Sequence, residues 1–148
     1  MNLIVAADRN WAIGKDGDQL CYLPADLKRF QALTTGHTVI FGRKTLTTFP
    51  GARPLKGRRN LVLSRQAGLE IEGAEVFQDL DALRRAAPAD AFVIGGESVY
   101  RALLDACEES CDAVLVHLDT PDDGYQFSLN AHMVDMPVAC YADADVIL

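Results

Sequence analysis

Five short apolar runs constrain this chain most: Leu3 to Ala7, Thr38 to Phe41, Asn60 to Leu63, Ala91 to Ile94 and Ala113 to Leu118. Most lack the alternation of apolar and polar residues that a strand with one wet face requires. Strands without alternation are buried on both faces, which predicts a largely parallel sheet. Helical patterns at Pro24 to Leu33, Arg43 to Thr48, Leu80 to Ala86 and Ser98 to Ala106 lie between the first four runs and before the fifth. Strand alternating with helix builds an α/β layered domain with right-handed crossovers. Ligands on such sheets bind outside the carboxyl ends of the strands. The chain has 148 residues, is 49% hydrophobic and contains no repeat or linker, so one domain spanning residues 1–148 is expected.

Several function classes fall away on composition. The net charge of −7 argues against nonspecific nucleic-acid binding, which depends on cations neutralising many phosphates. The opening run LIVAA is short and follows no basic region, so neither a leader nor a membrane span is expected, and a cytoplasmic protein follows. Cys107 and Cys111 form a C-x3-C pair, but Cys21, Cys140 and the three histidines are scattered without zinc-type spacing. No metal and free thiols are expected. The charge is nonetheless uneven: Arg43 to Arg65 holds seven of the fourteen basic residues and no acid. Such a strip is either a solvated loop or a site for a small polyanion.

Two strand-to-helix junctions favour the second reading. In VIFGRKT (39–45) and FVIGGESVY (92–100) an apolar strand ends in glycine and a helix begins at once. That arrangement leaves backbone N–H groups and the positive end of a helix dipole facing out from the sheet. Gly95 and Gly96 allow a phosphate close to the backbone, while Arg43, Lys44 and Thr45 add charge and a hydroxyl. A pyrophosphate between the two junctions would be well held. Neither motif is G-x-G-x-x-G, and glycine there can also serve helix packing. Ser64 and Arg65, just past a third strand, could take one further phosphate, which favours NADPH over NADH. The segment Asp8 to Leu23, with Gly14 and Gly17, reads as a mobile loop crossing this end of the sheet.

The stretch CYLPADLKRF (21–30) poses the sharpest question. Leu27, Phe30 and Leu33 mark an apolar helical stripe, yet Asp26 stands on the same side. An acid in the first turn after Pro24 suits the helix dipole without further purpose. Alternatively, a carboxylate in an apolar pocket needs a partner with donors in fixed geometry. A heterocycle with adjacent ring N–H and exocyclic amine has two.

Together these stretches resemble the dihydrofolate reductase family. The resemblance runs in the family's order through LIVAADRNWAIGKDG, LPADLKRF, VIFGRKT, RPLKGRRNLVLSR, FVIGGESVY and VLVHLD. It implies a single eight-stranded, mostly parallel twisted sheet flanked by about four helices. It also implies NADPH-dependent reduction of 7,8-dihydrofolate, with hydride going to C6 and a proton to N5. By resemblance Asp26 is the catalytic acid that anchors the pterin and promotes protonation of N5. Ile4, Val5, Leu27, Phe30, Phe49 and Leu55 are assigned to the pterin and aminobenzoyl pocket, and Arg58 to the glutamate α-carboxylate, although Arg58 also reads as an exposed arginine. Ala6 and Ile13 would offer backbone groups to the nicotinamide amide. Gly14, Ile94, Gly95, Gly96 and Tyr100 would lie along the cofactor, and Arg43, Lys44, Thr45, Ser64 and Arg65 would hold its phosphates. Tyr100 reads equally as a core aromatic. The partners implied are dihydrofolate and antifolate inhibitors, with a monomer expected.

Four features depart from the family pattern. Cys21 stands where a Trp is usual and Val116 where a Thr usually bonds the acid, so a raised Asp26 pKa is expected. Tyr125 replaces an acid that helps loop closure. After Phe127 the chain is short, with one strand expected at 143–148 in place of two long ones. Two competing readings stand beside the first. One is a reductase of another pteridine or of a ribosylaminopyrimidine; the other is a noncatalytic nucleotide-binding relative. Arg58 with Asp26 discriminates among the reductases, because a glutamate tail needs the arginine.

Overall fold

The protein's structure, a computed structural model, describes residues 1–8, 13–15, 17–19, 24–104, 113–118 and 138–139. Strand β1 (Asn2–Asp8) is followed by a small hairpin, β2 (Gly14–Lys15) and β3 (Asp18–Gln19), and by helix α1 (Pro24–Thr34). Next come β4 (Thr38–Gly42), the one-turn helix α2 (Arg43–Leu46) and a 3-10 turn at Pro50–Ala52. Then follow β5 (Arg59–Leu63), β6 (Ala74–Phe77), α3 (Leu80–Ala86), β7 (Phe92–Gly95), α4 (Glu97–Leu104), β8 (Ala113–Leu118) and β9 (Val138–Ala139). The main sheet has seven strands in the order β6-β5-β4-β7-β1-β8-β9, and all its ladders are parallel. The α/β architecture with a parallel sheet and four α-helices is thus present. An eighth strand in the main sheet is not among the described residues, and the strand expected at 143–148 lies outside them. Within 8–23, the segment expected as a mobile loop, the described residues include the small hairpin β2–β3.

Period-two alternation sorts the strand side chains onto two covered faces. Leu3, Val5, Ile40, Leu61 and Val93 form one cluster with Leu83 of α3 and Val99, Tyr100 and Leu103 of α4. Ile4, Val39, Phe41, Val62 and Phe92 form the other, against which Phe30 and Leu33 of α1 and Leu46 of α2 pack. Continuous apolar runs are therefore what β1, β4, β5 and β7 need. Strand β6, not foreseen from the sequence, is the sheet edge and carries the exposed Glu75 between Ala74 and Val76.

The helices are closed by identifiable groups. Thr34 and Thr35 hydroxyls donate to the carbonyls of Phe30 and Gln31 at 2.8 and 2.6 Å, and Gly36 follows at φ 84°, which ends α1. Asp79 caps α3, its carboxylate accepting from the N–H groups of Asp81 and Ala82 at 3.2 Å each. Asp79→Ala should therefore lower stability by about 1 kcal/mol, seen in thermal denaturation as a fall of roughly 2–4 °C. An unchanged melting temperature would show the cap to be idle.

Candidate active site

Because the main sheet is parallel, the carboxyl ends of β5, β4, β7 and β1 lie side by side along one rim. Register aligns Gly42 with Leu63 and Phe41 with Gly95. The rim thus presents, in order, Ser64–Arg65, Arg43–Thr45, Gly95–Gly96 and the end of β1. At about 4.8 Å per strand, these four positions span roughly 14 Å, suited to an extended dinucleotide. Strands β1 and β7 pair at Asn2↔Phe92 and Leu3↔Val93, whereas β1 continues along β8 as far as Asp8. A register shift at Ile40/Phe41 takes up Ile94 as an extra residue in β7. The two strands therefore part beyond Leu3, and the sheet opens between Ile4–Ala6 and Ile94–Gly96. Neighbouring strands here also lead to opposite sides of the sheet, β1 towards β4 and β7 towards β8, the usual position of a ligand crevice.

One side of this opening is built from glycine. Gly95 sits at φ 147°, and the Gly95–Gly96 peptide is cis. A Cβ on Gly95 would lie 3.3 Å from both Cγ2 and Oγ1 of Thr45, and one on Gly96 would lie 3.3 Å from Thr45 Oγ1. The two junctions singled out in the sequence thus meet at Thr45 over the paired glycines. The Gly96 carbonyl accepts from the N–H groups of Val99 and Tyr100, which starts α4 there. Gly95→Ala should destabilise by about 1–3 kcal/mol because the backbone region disfavours a side chain. Adding Thr45→Ala should restore part of the denaturant midpoint, and a midpoint unmoved by Gly95→Ala would contradict the crowding.

Tyr100 is 3% exposed, and its hydroxyl donates to the Ile4 carbonyl at 2.6 Å. That bond satisfies Ile4 where β7 has left the ladder. Burial pushes the Tyr100 hydroxyl well above the ordinary phenol range, so it remains a donor. The core reading of Tyr100 is the observed one, and the residue also reaches the rim: its hydroxyl is 3.9 Å from a Cβ placed on Gly95.

The cationic strip divides on inspection. Arg43, Lys44 and Arg65 are exposed at the rim. Arg59 is not part of it, since its guanidinium donates to both carboxylate oxygens of Glu75 at 2.8 and 2.9 Å and to the Ala86 carbonyl at 3.1 Å. Helix α2 has four residues, so its N-terminus contributes free N–H groups and two cations rather than the dipole of a long helix. Ser64 is 8% exposed, with Oγ accepting from the Gln66 N–H at 3.2 Å. Its oxygen is engaged in the turn as an acceptor, which leaves the O–H as a donor. Gly14 has a reason of its own, because a Cβ there would lie 2.6 Å from the Asp18 carbonyl oxygen across the hairpin. Ile13 packs against the cluster beneath α4.

The opposite face carries the second half of the site. Ile4, Phe30, Phe49, Leu55 and Ile94 belong to one apolar group, with Phe49 edge-on to Phe41 at 4.9 Å. Val5 does not join them: successive strand residues point to opposite faces, so its side chain lies in the α3–α4 cluster. Leu27 is half-buried on α1. Arg58 lies over the Phe30 ring at 5.9 Å, with Nη1 donating to Thr34 Oγ1 at 3.1 Å and Nε to the Lys56 carbonyl at 2.9 Å. Burial lowers the Arg58 pKa, because desolvation disfavours the charged form.

Asp26 occupies the first turn of α1 and is half-buried. Burial raises its pKa above the ordinary 3.8, while the nearby charge of Arg29 opposes the shift. The direction is the expected one, though here its leading cause is burial rather than missing hydrogen-bond partners. Cys21 and Tyr125 lie outside the described residues, and Val116 pairs with Ala6 in the β1–β8 ladder. One residue of this region went unnoticed in the sequence: Asn60, 3% exposed, bonds the backbone of Leu55 and Arg58. An Asn within an apolar strand was the available signal, since a buried amide must find partners.

Among the described residues no group of three or more His, Cys, Asp or Glu side chains is placed to hold a metal, and no helix is long and apolar enough to cross a membrane. A family model for dihydrofolate reductase matches residues 1–128. A dihydrofolate reductase of Mycobacterium leprae is 42% identical over 126 residues, covering 80% of this chain and 76% of that protein. One from Staphylococcus aureus is 31% identical over 109 residues, covering 74% and 67%. The solved structure of an Enterococcus faecalis dihydrofolate reductase complexed with NADP(H) and RAB-propyl superposes with a TM-score of 0.71 at 31% identity, covering 88% of this chain and 77% of that one. With a glycine-lined opening between β1 and β7 and an acid at the start of α1, the chain belongs to the dihydrofolate reductase family.

Proposed function

We propose that the protein reduces 7,8-dihydrofolate to 5,6,7,8-tetrahydrofolate with NADPH. The observation that carries this reading is the parting of β1 and β7 beside Gly95–Gly96. It provides a slot at the carboxyl rim of the sheet where a flat ring can enter, with the apolar Phe30–Phe49–Leu55 group and Asp26 on the α1 side. The residues fit the cofactor: any Cβ at Gly95 or Gly96 would crowd Thr45 and fill the cradle, and exposed Arg43, Lys44 and Arg65 continue the same rim. NADPH, when bound there, would supply the hydride for C6.

The chain's own residues do the rest. Gly95, Gly96 and the backbone of Ala6 and Ile13 orient the nicotinamide end, while Thr45, Arg43, Lys44, Ser64 and Arg65 hold the phosphates. Asp26 accepts hydrogen bonds from the pterin ring N–H and 2-amino group, which fixes the ring's direction in the slot. The same carboxyl, with its raised pKa, promotes protonation of N5 through solvent, and a protonated N5 makes the C=N bond a better hydride acceptor. Ile4, Leu27, Phe30, Phe49 and Leu55 exclude water around the rings, and Arg58 pairs with the glutamate α-carboxylate. Antifolates that present a ring N–H beside an amine would compete for Asp26. Much of the rate then comes from holding two rings face to face.

The test is loss of reduced-nicotinamide absorbance on mixing NADPH with dihydrofolate. Turnover with NADPH well above that with NADH, and with dihydrofolate above other dihydropteridines or a ribosylaminopyrimidine, is expected. No turnover of dihydrofolate would overturn the reading in favour of another reductase or a noncatalytic relative.

A further inference from the structure

We infer that Asn60 is the positioning residue of the tail-binding corner, locking Leu55 and Arg58 into one arrangement before substrate arrives. The inference rests on the proposed substrate, whose acidic tail Arg58 would receive. Asn60 lies within β5, its backbone in register with Val39 on one side and Ala74 on the other, so it is anchored in the interior of the sheet. Its side chain is directed to the loop before the strand. Oδ1 accepts from the Leu55 N–H at 2.9 Å, and Nδ2 donates to the Leu55 carbonyl at 3.0 Å and the Arg58 carbonyl at 2.9 Å. Both amide hydrogens and one of the two oxygen lone pairs are thus used.

These bonds join the two ends of the turn Leu55–Arg58. A second tie comes from the turn after α1, where the Gly36 N–H donates to the Gly57 carbonyl at 2.8 Å. Leu55 contributes to the apolar group facing α1, and Arg58 reaches back over Phe30 to Thr34. An arginine has many rotamers, and a carboxylate needs its two N–H vectors parallel, so a fixed backbone origin spares ordering on binding. Aspartate cannot substitute, because a carboxylate oxygen would then face two carbonyl oxygens.

The test compares Asn60→Ala and Asn60→Ser with the parent protein, using dihydrofolate and a dihydropterin without the aminobenzoyl-glutamate tail. For dihydrofolate, KM should rise by about 5- to 30-fold as three part-buried hydrogen bonds are lost, with kcat and the KM for NADPH little changed. For the tailless substrate, kcat/KM should stay within about twofold, since its binding draws on no tail contact. Equal losses on both substrates, or none on either, would overturn the assignment. If neither variant folds, the parent protein still decides: the Asn60 side-chain amide protons should exchange slowly with solvent in the ligand-free state, and fast exchange would refute the clasp. Failure of the parent to turn over dihydrofolate would instead sink the functional reading, and the exchange measurement would judge the clasp independently.

Discussion

Asp26→Asn should lower kcat/KM for dihydrofolate at neutral pH by about 100- to 10,000-fold, the range expected when a group assisting proton transfer is removed. Asparagine keeps the size but offers one acceptor oxygen and cannot carry a proton to N5. The residual rate should climb as pH falls, because solvent acid then protonates N5 directly. Stability should move the other way. Burial raises the Asp26 pKa, so the folded state binds this proton more tightly than the unfolded one. The resulting stabilisation is fully present below the ordinary value of 3.8 and is lost as pH rises through the folded pKa. At neutral pH the ionised carboxylate is therefore a small cost. Asp26→Asn should melt no lower than the parent there, and at most a few degrees higher, with the gap closing towards acid. Activity lost without stability lost separates the assigned role from damage to the fold. An unaffected rate at neutral pH would remove Asp26 from the mechanism.

Arg58→Leu is the second large effect. A hydrogen-bonded pair involving charge contributes about 1.5–3 kcal/mol, so KM for dihydrofolate should rise roughly 10- to 100-fold. The loss should be confined to substrates bearing the tail, and kcat should hold, because Arg58 sits over Phe30 and beside Thr34, on the α1 face. Arg58→Lys should recover little, since an ammonium cannot form two parallel bonds to one carboxylate. Steady-state kinetics on both substrates decide the matter: an equal fall on the tailless pterin would mean that Arg58 supports the fold rather than the tail.

Much of the fold was legible because burial on both faces writes itself as unbroken apolar runs. Strands β1, β4, β5, β7 and β8 fall within two residues of their expected bounds, and α3 matches from Leu80 to Ala86. Strand β6 escaped because an edge strand of four residues with Glu75 in its middle produces no run. Helix α2 stops at Leu46 rather than Thr48 because the hydroxyls of Thr47 and Thr48 turn back onto the carbonyls of Lys44 and Thr45 at 2.7 Å. In the site, residue types at strand ends could be read off, since strand followed by glycine and helix fixes where they point. Which face a strand residue uses was harder: Ile4 and Val5 were grouped together, and only the pleat separates them. The pairing of Arg59 with Glu75 joins separate segments, which local pattern does not encode, whereas the clasp of Asn60 reaches back only to Leu55 and Arg58 and shows in the sequence as a polar residue within an apolar strand.

The most direct test of the central claim is to follow the label from NADPH carrying deuterium at the transferable position of the nicotinamide ring. If the opening between β1 and β7 holds that ring against a pterin gripped by Asp26, the tetrahydrofolate formed will carry the deuterium at C6, with the N5 proton drawn from solvent. Deuterium retained in the oxidised cofactor, or C6 labelled from solvent instead, would contradict direct transfer across this slot.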